Sequence, residues 1–417
     1  MKKNSTLYLS RNGLLEPLGQ SQVFAYLRGL SQDYNITLIT YEKDEDWADK
    51  ARLQKARTDC KDLGIRWLPQ HFRRWPKIVA PAFSMIRMVW LVRREVRRRD
   101  IRLIHARSNI PAATALAVSW ITGVPFLFDL RSLFPEELIT ARRMRRGSFL
   151  HRAIIWAERL CLAKSAAVIS QTHVAVNHLK SVYPTELKNQ RLVMIPTCAD
   201  LDRFSPPLDR PSGPTVHGCI GTILSGWFRT DWLAAWLSAV AQDDTDARFD
   251  IVTRDDADRV RVALDPMNKF GDRLMIGPRP SEEMPAAVRG HDLTVMFYAG
   301  GEVSELGRSP TRMAEVLGCG LPVVANEGVG DVADIIRQYN VGVIVKDGSE
   351  AAMAVALDEL EMLRSDPDLP SRCRKAAEEV FSLEAGTEAY RKIYAEILGR
   401  PGGPEATPAG AQAANDR

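Results

Sequence analysis

At 417 residues, 45 % hydrophobic and 26 % charged, the chain exceeds one ordinary domain and has the apolar content to fill two cores of about 200 residues each. Six cysteines without a CxxC pair and seven histidines without HExxH or zinc spacing argue against a disulfide scaffold or a metal site and favour a reducing compartment. The net charge of +4 is too small to select a partner, but it is unevenly placed: ten Arg/Lys face two acids between Arg73 and Arg102, and six arginines face Glu158 alone between Arg142 and Arg159.

The amino end, MKKNSTLYLSRNG, carries lysines but no apolar run, so no secretory signal is expected. LYLS reads as a strand, Ser21 to Leu30 as a helix and ITLITY as a strand. A polar helix is expected over Asp46 to Leu63, a strand at IRWLP, a long helix over Ala82 to Arg99, a strand at LIHA and a helix over Ala112 to Ile121. Ile110 to Phe128 is uncharged throughout, which raises a transmembrane reading. Pro111, Gly123 and Pro125 divide it instead into helix, turn and the buried strand FLFDL. A helix from Ser148 to Ala163 and the strands AAVISQ and LVMIP complete this half. Glu136 and Glu137, adjacent after Pro135, read as a helix start and not as an acid/base pair.

DRFSPPLDRPSGPT, Asp202 to Thr215, is too rich in proline for a helix or central strand and marks a break. Alternation then restarts: strand VHGCIGTI, helix TDWLAAWLSAV, strand RFDIVT, helix DADRVRVAL, then LMIGP, LTVMFY, LPVVAN and VGVIV with helices between them. Such alternation means parallel sheets with crossover helices. The expected fold class is α/β, with two Rossmann-like domains facing across a cleft: residues 1–205, a linker at 206–214, residues 215–382, a crossover helix at 383–398 and a Gly/Pro/Ala-rich tail at 399–417. Ligands of such domains sit at the carboxyl ends of strands, so function belongs to the loops there.

One such segment is SPTRMAEVLGCGLPVVANEGVGDV, Ser309 to Val332. Ser309 suits an N-cap and Pro310 a first turn, which directs the amides of Thr311 and Arg312 outward from a positive helix end. Arg308 and Arg312 add fixed charge suited to a diphosphate, and Glu315, one turn in, could accept from the hydroxyls of a ribose. From spacing alone, an ordinary capped helix with solvated arginines accounts for these residues equally well.

The segment resembles the nucleotide-sugar site of the family-4 retaining glycosyltransferases, of the group 1 type, which have the GT-B fold. Their motif is Glu, seven residues, Glu, followed by small residues and Gly-x-Pro-Val-Val. Glu315 and GCGLPVVAN match its second part, whereas Gly307 stands at the first acid. MIPTCADLDRF is similar to the family's IPNGVD segment before the linker, and LLEPLGQSQVFAYLRGL to its first glycine loop, which makes Gly19 a donor-binding candidate. HARSNIPA and FDLRSLFPEE occupy places where members carry histidines, so the resemblance implies acceptor-side roles for His105, Arg107 and Asp129 and a catalytic one for Arg131. Where members have an Arg and a Lys after the first strand of the second domain, GTILSGWFRTD offers Thr222 and Trp227, with Arg229 two residues on and Gly221 as a further donor-binding candidate. Either Arg229 or the pair Arg308 and Arg312 would then hold the diphosphate, while Ser309 and Thr311 border it.

The resemblance implies metal-independent, retaining transfer of a hexose from a nucleotide diphosphate sugar, as co-substrate and without another cofactor, to a glycan or lipid-linked acceptor in polysaccharide or glycoconjugate synthesis. A non-catalytic nucleotide-sugar-binding protein and a sugar-nucleotide epimerase are the alternatives. The Arg73–Arg102 region, apolar residues followed by arginines, suits peripheral contact with an anionic membrane on its cytoplasmic face. Aromatic and basic interleaving of the kind that grips nucleic acid is absent.

Overall fold

The computed structural model describes residues 3–72, 80–207 and 213–399. The first sheet comprises β1 (Asn4–Ser10), β2 (Tyr34–Glu42), β3 (Arg66–His71), β4 (Ile101–Arg107), β5 (Phe126–Asp129), β6 (Ala167–Ser170) and β7 (Leu192–Met194), in the order β3-β2-β1-β4-β5-β6-β7. The second comprises β8 (Val216–Ile220), β9 (Arg248–Val252), β10 (Leu274–Gly277), β11 (Leu293–Met296), β12 (Val323–Asn326) and β13 (Gly342–Val345), in the order β10-β9-β8-β11-β12-β13. The strands pair in parallel. Central strands such as FLFD, AVIS, LTVM and VVAN are buried along their whole length, as a sheet covered by helices on both faces requires. Both halves thus share one strand order. Each has a switch point, between β1 and β4 and between β8 and β11, where open parallel sheets bind ligands.

Several elements differ from expectation. The first helix begins at Pro17 and runs to Leu30 through a π turn at Gln20–Phe24. The polar helix is interrupted at Asp49, whose carboxylate accepts from Arg52 N and starts the helix Lys50–Asp62 anew. Ile110 to Phe128 resolves into the helix Asn109–Thr122, a left-handed Gly123 and β5; among the described residues no helix is long and apolar enough to cross a membrane. An unexpected helix, Leu369–Phe381, buries Leu369, Cys373, Ala376, Ala377 and Phe381 in the second core, against the helices Thr311–Gly318 and Val332–Tyr339. Most of the expected linker, residues 208–212, and the tail from residue 400 lie outside the described residues.

The chain passes between the halves twice, and the two passages are joined: Ala199 N donates to Phe381 O and Leu383 N to Ala199 O. Ala199 and Phe204, which the sequence assigns to the first domain, are buried in the core of the second. The helix Leu383–Ile397 returns to the first half, where Tyr390, Ile393 and Tyr394 join a core with Tyr8, Tyr26, Leu27 and Tyr34. Two glycines permit that close approach. A Cβ on Gly29 would lie 2.6 Å from Thr387 Cγ2, and one on Gly386 would lie 2.7 Å from Cys198 Sγ.

Candidate functional site

The second switch point gathers the loops after β8 and β11 beside the helix Thr311–Gly318. Gly221, at the end of β8, has φ +150° and open space where a Cβ would stand, so a ligand can approach its backbone closely. Thr222 is exposed, but the amides of Ile223 and Leu224 already donate to Asp255 at 2.6 and 2.9 Å. Pro310, not Ser309, is the N-cap residue, and Thr311 is the first residue of the helix. The first amides of a helix have no partner within it, so those of Thr311 and Arg312 form its positive end. Arg312 pairs with Glu315, a buried carboxylate one turn further in. Arg308 lies 5.0 Å from the centre of the Tyr298 ring and pairs with Glu305, to which its terminal nitrogen donates at 2.9 Å. Burial alone would push the Arg308 proton off, but the Glu305 carboxylate more than offsets this and holds the guanidinium charged.

The first switch point holds His105 and Arg107 on β4 and Asp129 at the end of β5, all buried. His105 Nε2 lies 3.2 Å from Asp129 and Nδ1 lies 2.8 Å from the Tyr394 hydroxyl. A carboxylate can only accept, so Nε2 carries the proton and Tyr394 donates to Nδ1 of a neutral ring. Burial lowers the histidine's proton affinity, which outweighs the opposing pull of Asp129. Burial raises the Asp129 pKa, but Arg131, His105 and Arg107 together bring it down to about 2. Tyr390 also donates to Asp129, at 3.2 Å. His105 and Asp129 therefore fasten the returning helix. Arg107 donates to Asn12 at 3.1 Å and to Gln22 at 2.6 Å; Arg131, whose side chain is 6 % exposed, donates to Asp129 at 3.4 Å and to Gln22 at 3.3 Å. With His105 neutral, two guanidiniums face one carboxylate, which leaves a buried excess of positive charge. The Nε atoms of both arginines are buried without a partner among the described residues.

The halves meet along a polar seam. Gln22 donates to Thr311 at 2.8 Å, Thr197 N to Ser309 Oγ at 3.0 Å, Thr172 to Leu306 O at 2.6 Å, and the amides of His173 and Val174 to Asp331 at 2.7 and 3.0 Å. Gly307 lies in this seam: a Cβ there would sit 3.3 Å from Leu133 N. A side chain at the position of the absent acid would therefore crowd Ser132 and Leu133 of the first half.

The structure thus brings Arg107, Arg131, Arg308, Ser309, Thr311, Arg312 and Glu315 to one seam, and three expectations need correction. Ser309 caps nothing; its hydroxyl accepts from Thr197 across the seam. Gly19 is buried, and a Cβ on it would lie 2.0 Å from Gly13 O, so its small size serves closure of the Gly13–Glu16 turn on the helix and not donor approach. Arg229 is spent on its own helix, donating to Asp231 at 3.0 and 2.7 Å with its guanidinium 4.8 Å from the Trp232 ring centre. Phe228 packs, meeting Tyr298 edge-on, and Trp227 O accepts from Ala299 N. Gln22, Asp331, Tyr390 and Tyr394 escaped the sequence reading, since their partners lie far along the chain, and Glu305, three residues before its partner Arg308, escaped it because its inward turn leaves no mark in the sequence. Glu137, read as a helix start, is half-buried in the seam beside Arg308, accepts from Ser132 at 2.8 Å and is pushed up in pKa by that burial.

The geometry agrees with comparisons to known proteins. Residues 20–203 match glycosyltransferase family 4, and residues 214–361 match glycosyl transferases group 1. No curated protein matches the sequence. Among solved structures, the chain resembles a sucrose-phosphate synthase from Thermosynechococcus elongatus (TM-score 0.72, 14 % identity, 95 % of this chain and 100 % of that one). A glycosyltransferase from Rickettsia africae aligns with TM-score 0.71 and 14 % identity over 95 % of this chain and 99 % of that one. Anabaena HepE, solved in complex with UDP and glucose, aligns with TM-score 0.65 and 15 % identity over 95 % and 100 %. Matched by family over both halves and by fold over nearly its whole length, the chain belongs to the glycosyltransferases of family 4, group 1 type, with the GT-B fold of two Rossmann-like domains.

Proposed function

We propose that the protein transfers a hexose from a nucleotide diphosphate sugar to a glycan or lipid-linked acceptor with retention of the anomeric configuration, in polysaccharide or glycoconjugate synthesis. The observation that carries this reading is the meeting, at one seam, of a helix amino end bearing Arg308, Arg312 and Glu315 with the buried cationic pair Arg107 and Arg131. Excess positive charge without solvent calls for an anion, and a diphosphate entering between the halves supplies one. HepE holds UDP and glucose on the same fold, which supports a donor of this class.

In this mechanism Glu315 accepts from the ribose hydroxyls, exchanging part of its pairing with Arg312, which turns toward the phosphates. The bond from the anomeric carbon to the phosphate oxygen breaks, and one to the acceptor oxygen forms on the same face. The acceptor's proton passes to the departing phosphate oxygen. The leaving diphosphate gains charge against donors that are already fixed, the arrangement that stabilises a transition state most effectively. Neither a metal nor a cofactor besides the donor is assigned a part. The first half, with Asp129 and His105 beneath its surface, receives the acceptor. The protein works in the cytoplasm at the inner face of an anionic membrane, with the Arg73–Arg102 region as the candidate the sequence offers for that contact; residues 73–79 of that region lie outside those described. Calorimetric titration with UDP-, GDP- and ADP-sugars tests donor binding, and the proton spectrum of the product gives its anomeric configuration. Inversion, or donor consumption without release of free nucleoside diphosphate, as an epimerase would give, would refute the reading.

A further inference from the structure

Beside the helix Ala80–Arg99 stands a second surface of the same chemistry, on the arginine-rich segment and helix that the sequence places at Arg142 to Ala163 without a role. The helix Asn109–Thr122 packs between Ala80–Arg99 and Phe149–Lys164, so all three cover one face of the first sheet. A face that only met water would be polar. Here Phe149 is 89 % exposed, Trp156 64 %, Leu150 55 % and Trp120 62 %, and on the flanking helix Ile86 is 68 % and Trp90 57 % exposed. Phe149, Ala153 and Trp156 lie at helical spacing on one outward stripe, with Arg152 exposed beside them. Scattered apolar surface residues are ordinary, but large aromatics gathered on adjacent helices are not.

The charge around this stripe has one sign. The turn before it, Arg142 to Gly147, exposes Arg142, Arg143, Arg145 and Arg146. Of these only Arg146 has an acid partner, Glu136; among the described residues no carboxylate pairs with Arg142, Arg143, Arg145 or Arg152. The stripe also adjoins the cleft. Helices here run antiparallel to their strands, so Phe149, at the start of its helix, lies toward the carboxyl edge of the sheet. The turn follows directly on Phe134–Thr140, whose Thr140 is 3.2 Å from Ser304 of the second half.

We infer that Phe149–Lys164 and the arginine turn before it dock on an anionic phospholipid bilayer, with Phe149, Leu150 and Trp156 in the headgroup layer and Arg142, Arg143, Arg145 and Arg152 on lipid phosphates. Aromatic rings ringed by unpaired arginines match that interface, which is apolar below and anionic above. A second copy of this chain would meet the same positive charge and be repelled. The inference rests on the reading of membrane attachment above, but moves the anchor from the Arg73–Arg102 region to this helix and sets the cleft mouth against the lipid, where a lipid-linked acceptor would enter.

The test uses the full chain and vesicles of phosphatidylcholine with about a third phosphatidylglycerol, against phosphatidylcholine alone. Wild type should sediment with the anionic vesicles only and lose binding as salt is raised. The double variant Phe149→Ser/Trp156→Ser should bind about tenfold more weakly, with an unchanged melting temperature and unchanged donor binding. Gln at Arg142, Arg143 and Arg145 should have a similar effect, whereas Gln at Arg97, Arg98 and Arg99 should have little. If the double variant sediments like wild type and only the Arg97–Arg99 variant is released, the anchor lies on the other helix and this inference fails. If no variant or wild type binds, membrane attachment fails as a whole. A wild-type dimer that the double variant dissociates would assign the face to a second copy instead. None of these outcomes depends on sugar transfer, which donor calorimetry on the same samples reads separately.

Discussion

Glu315 and Glu305 are both buried carboxylates paired with an arginine three residues away, yet they face different tasks. Glu315 lies one turn inside the helix, and the proposed function gives it the donor's ribose. Replacing it with Ala should lower kcat/KM at least about tenfold, about 1.4 kcal/mol of transition-state stabilisation, and weaken donor binding in calorimetry. Unchanged kinetics would remove Glu315 from the site. Glu305 lies in the turn Val303–Gly307 and holds the Arg308 guanidinium against Tyr298. Glu305→Gln keeps the shape and removes the charge, so Arg308 should lose its fixed position. The expected result is weaker nucleoside diphosphate binding, while binding of the uncharged nucleoside is unaltered. Equal losses for both ligands would point to a general collapse of the loop. Glu315 was legible because its motif is local: a helix start, a spacing and GCGLPVVAN behind it. Glu305 was not, because nothing in VSELGR distinguishes an acid that turns inward from one that faces water. The same holds for Gln22, whose partners Arg107 and Thr311 are 85 and 289 residues away.

At the level of elements, alternation announced the parallel sheets, since a buried strand and an amphipathic helix leave different periods in the sequence. The helix Leu369–Phe381 was missed although its buried residues Leu369, Cys373, Ala376, Ala377 and Phe381 fall at helical spacing, because most of them are small and stand between charged residues. Nor could periodicity show what the last helix grips. The structure shows a histidine clamp: Tyr394 and Tyr390 reach His105 and Asp129 from 289 and 261 residues away. This clamp has a definite pH dependence. His105 is neutral in the fold and takes up a proton more readily when unfolded, and His217, buried in the second half, is likewise brought down to about 3. The unfolded chain then binds more protons below its ordinary histidine pKa, so stability is fully present above about pH 7 and falls as pH drops through that range. Melting temperature should follow that curve, and His105→Gln should flatten part of it, His217 keeping the rest. A melting temperature that rises toward pH 5 would contradict the neutral ring. Tyr394→Phe removes the donor to Nδ1 and should cost about 1 kcal/mol of stability in denaturant titration.

Across the whole molecule, two halves with matching strand order are joined in two ways. The crossing at Ala199 and Phe381 is backbone to backbone and, with Tyr390, Tyr394 and the facing glycines, firmly built. The seam over the site is made mainly of single hydrogen bonds from side chains and amides, with only Val303 and Leu306 of the second half packed against the first core. An interface with so little apolar contact parts readily, as cleft opening and closure require. Asp331 is its most exposed connection: one carboxylate receives the amides of both His173 and Val174 at the positive end of the helix His173–Val182. Removing it leaves the amides of His173 and Val174 without their acceptor, though Thr172 still caps Ala175, and weakens the closed form while touching neither arginine nor Glu315. Asp331→Ala should therefore enlarge the radius of gyration of the free protein in small-angle scattering, and saturating nucleoside diphosphate should restore the wild-type value, because the anion draws Arg107 and Arg131 toward Arg308 and Arg312. If the variant and wild type scatter alike without ligand, Asp331 does not govern closure. If ligand fails to compact the open variant, the arginines of the two halves do not share one anion, and the positive charge buried at the first switch point requires another partner.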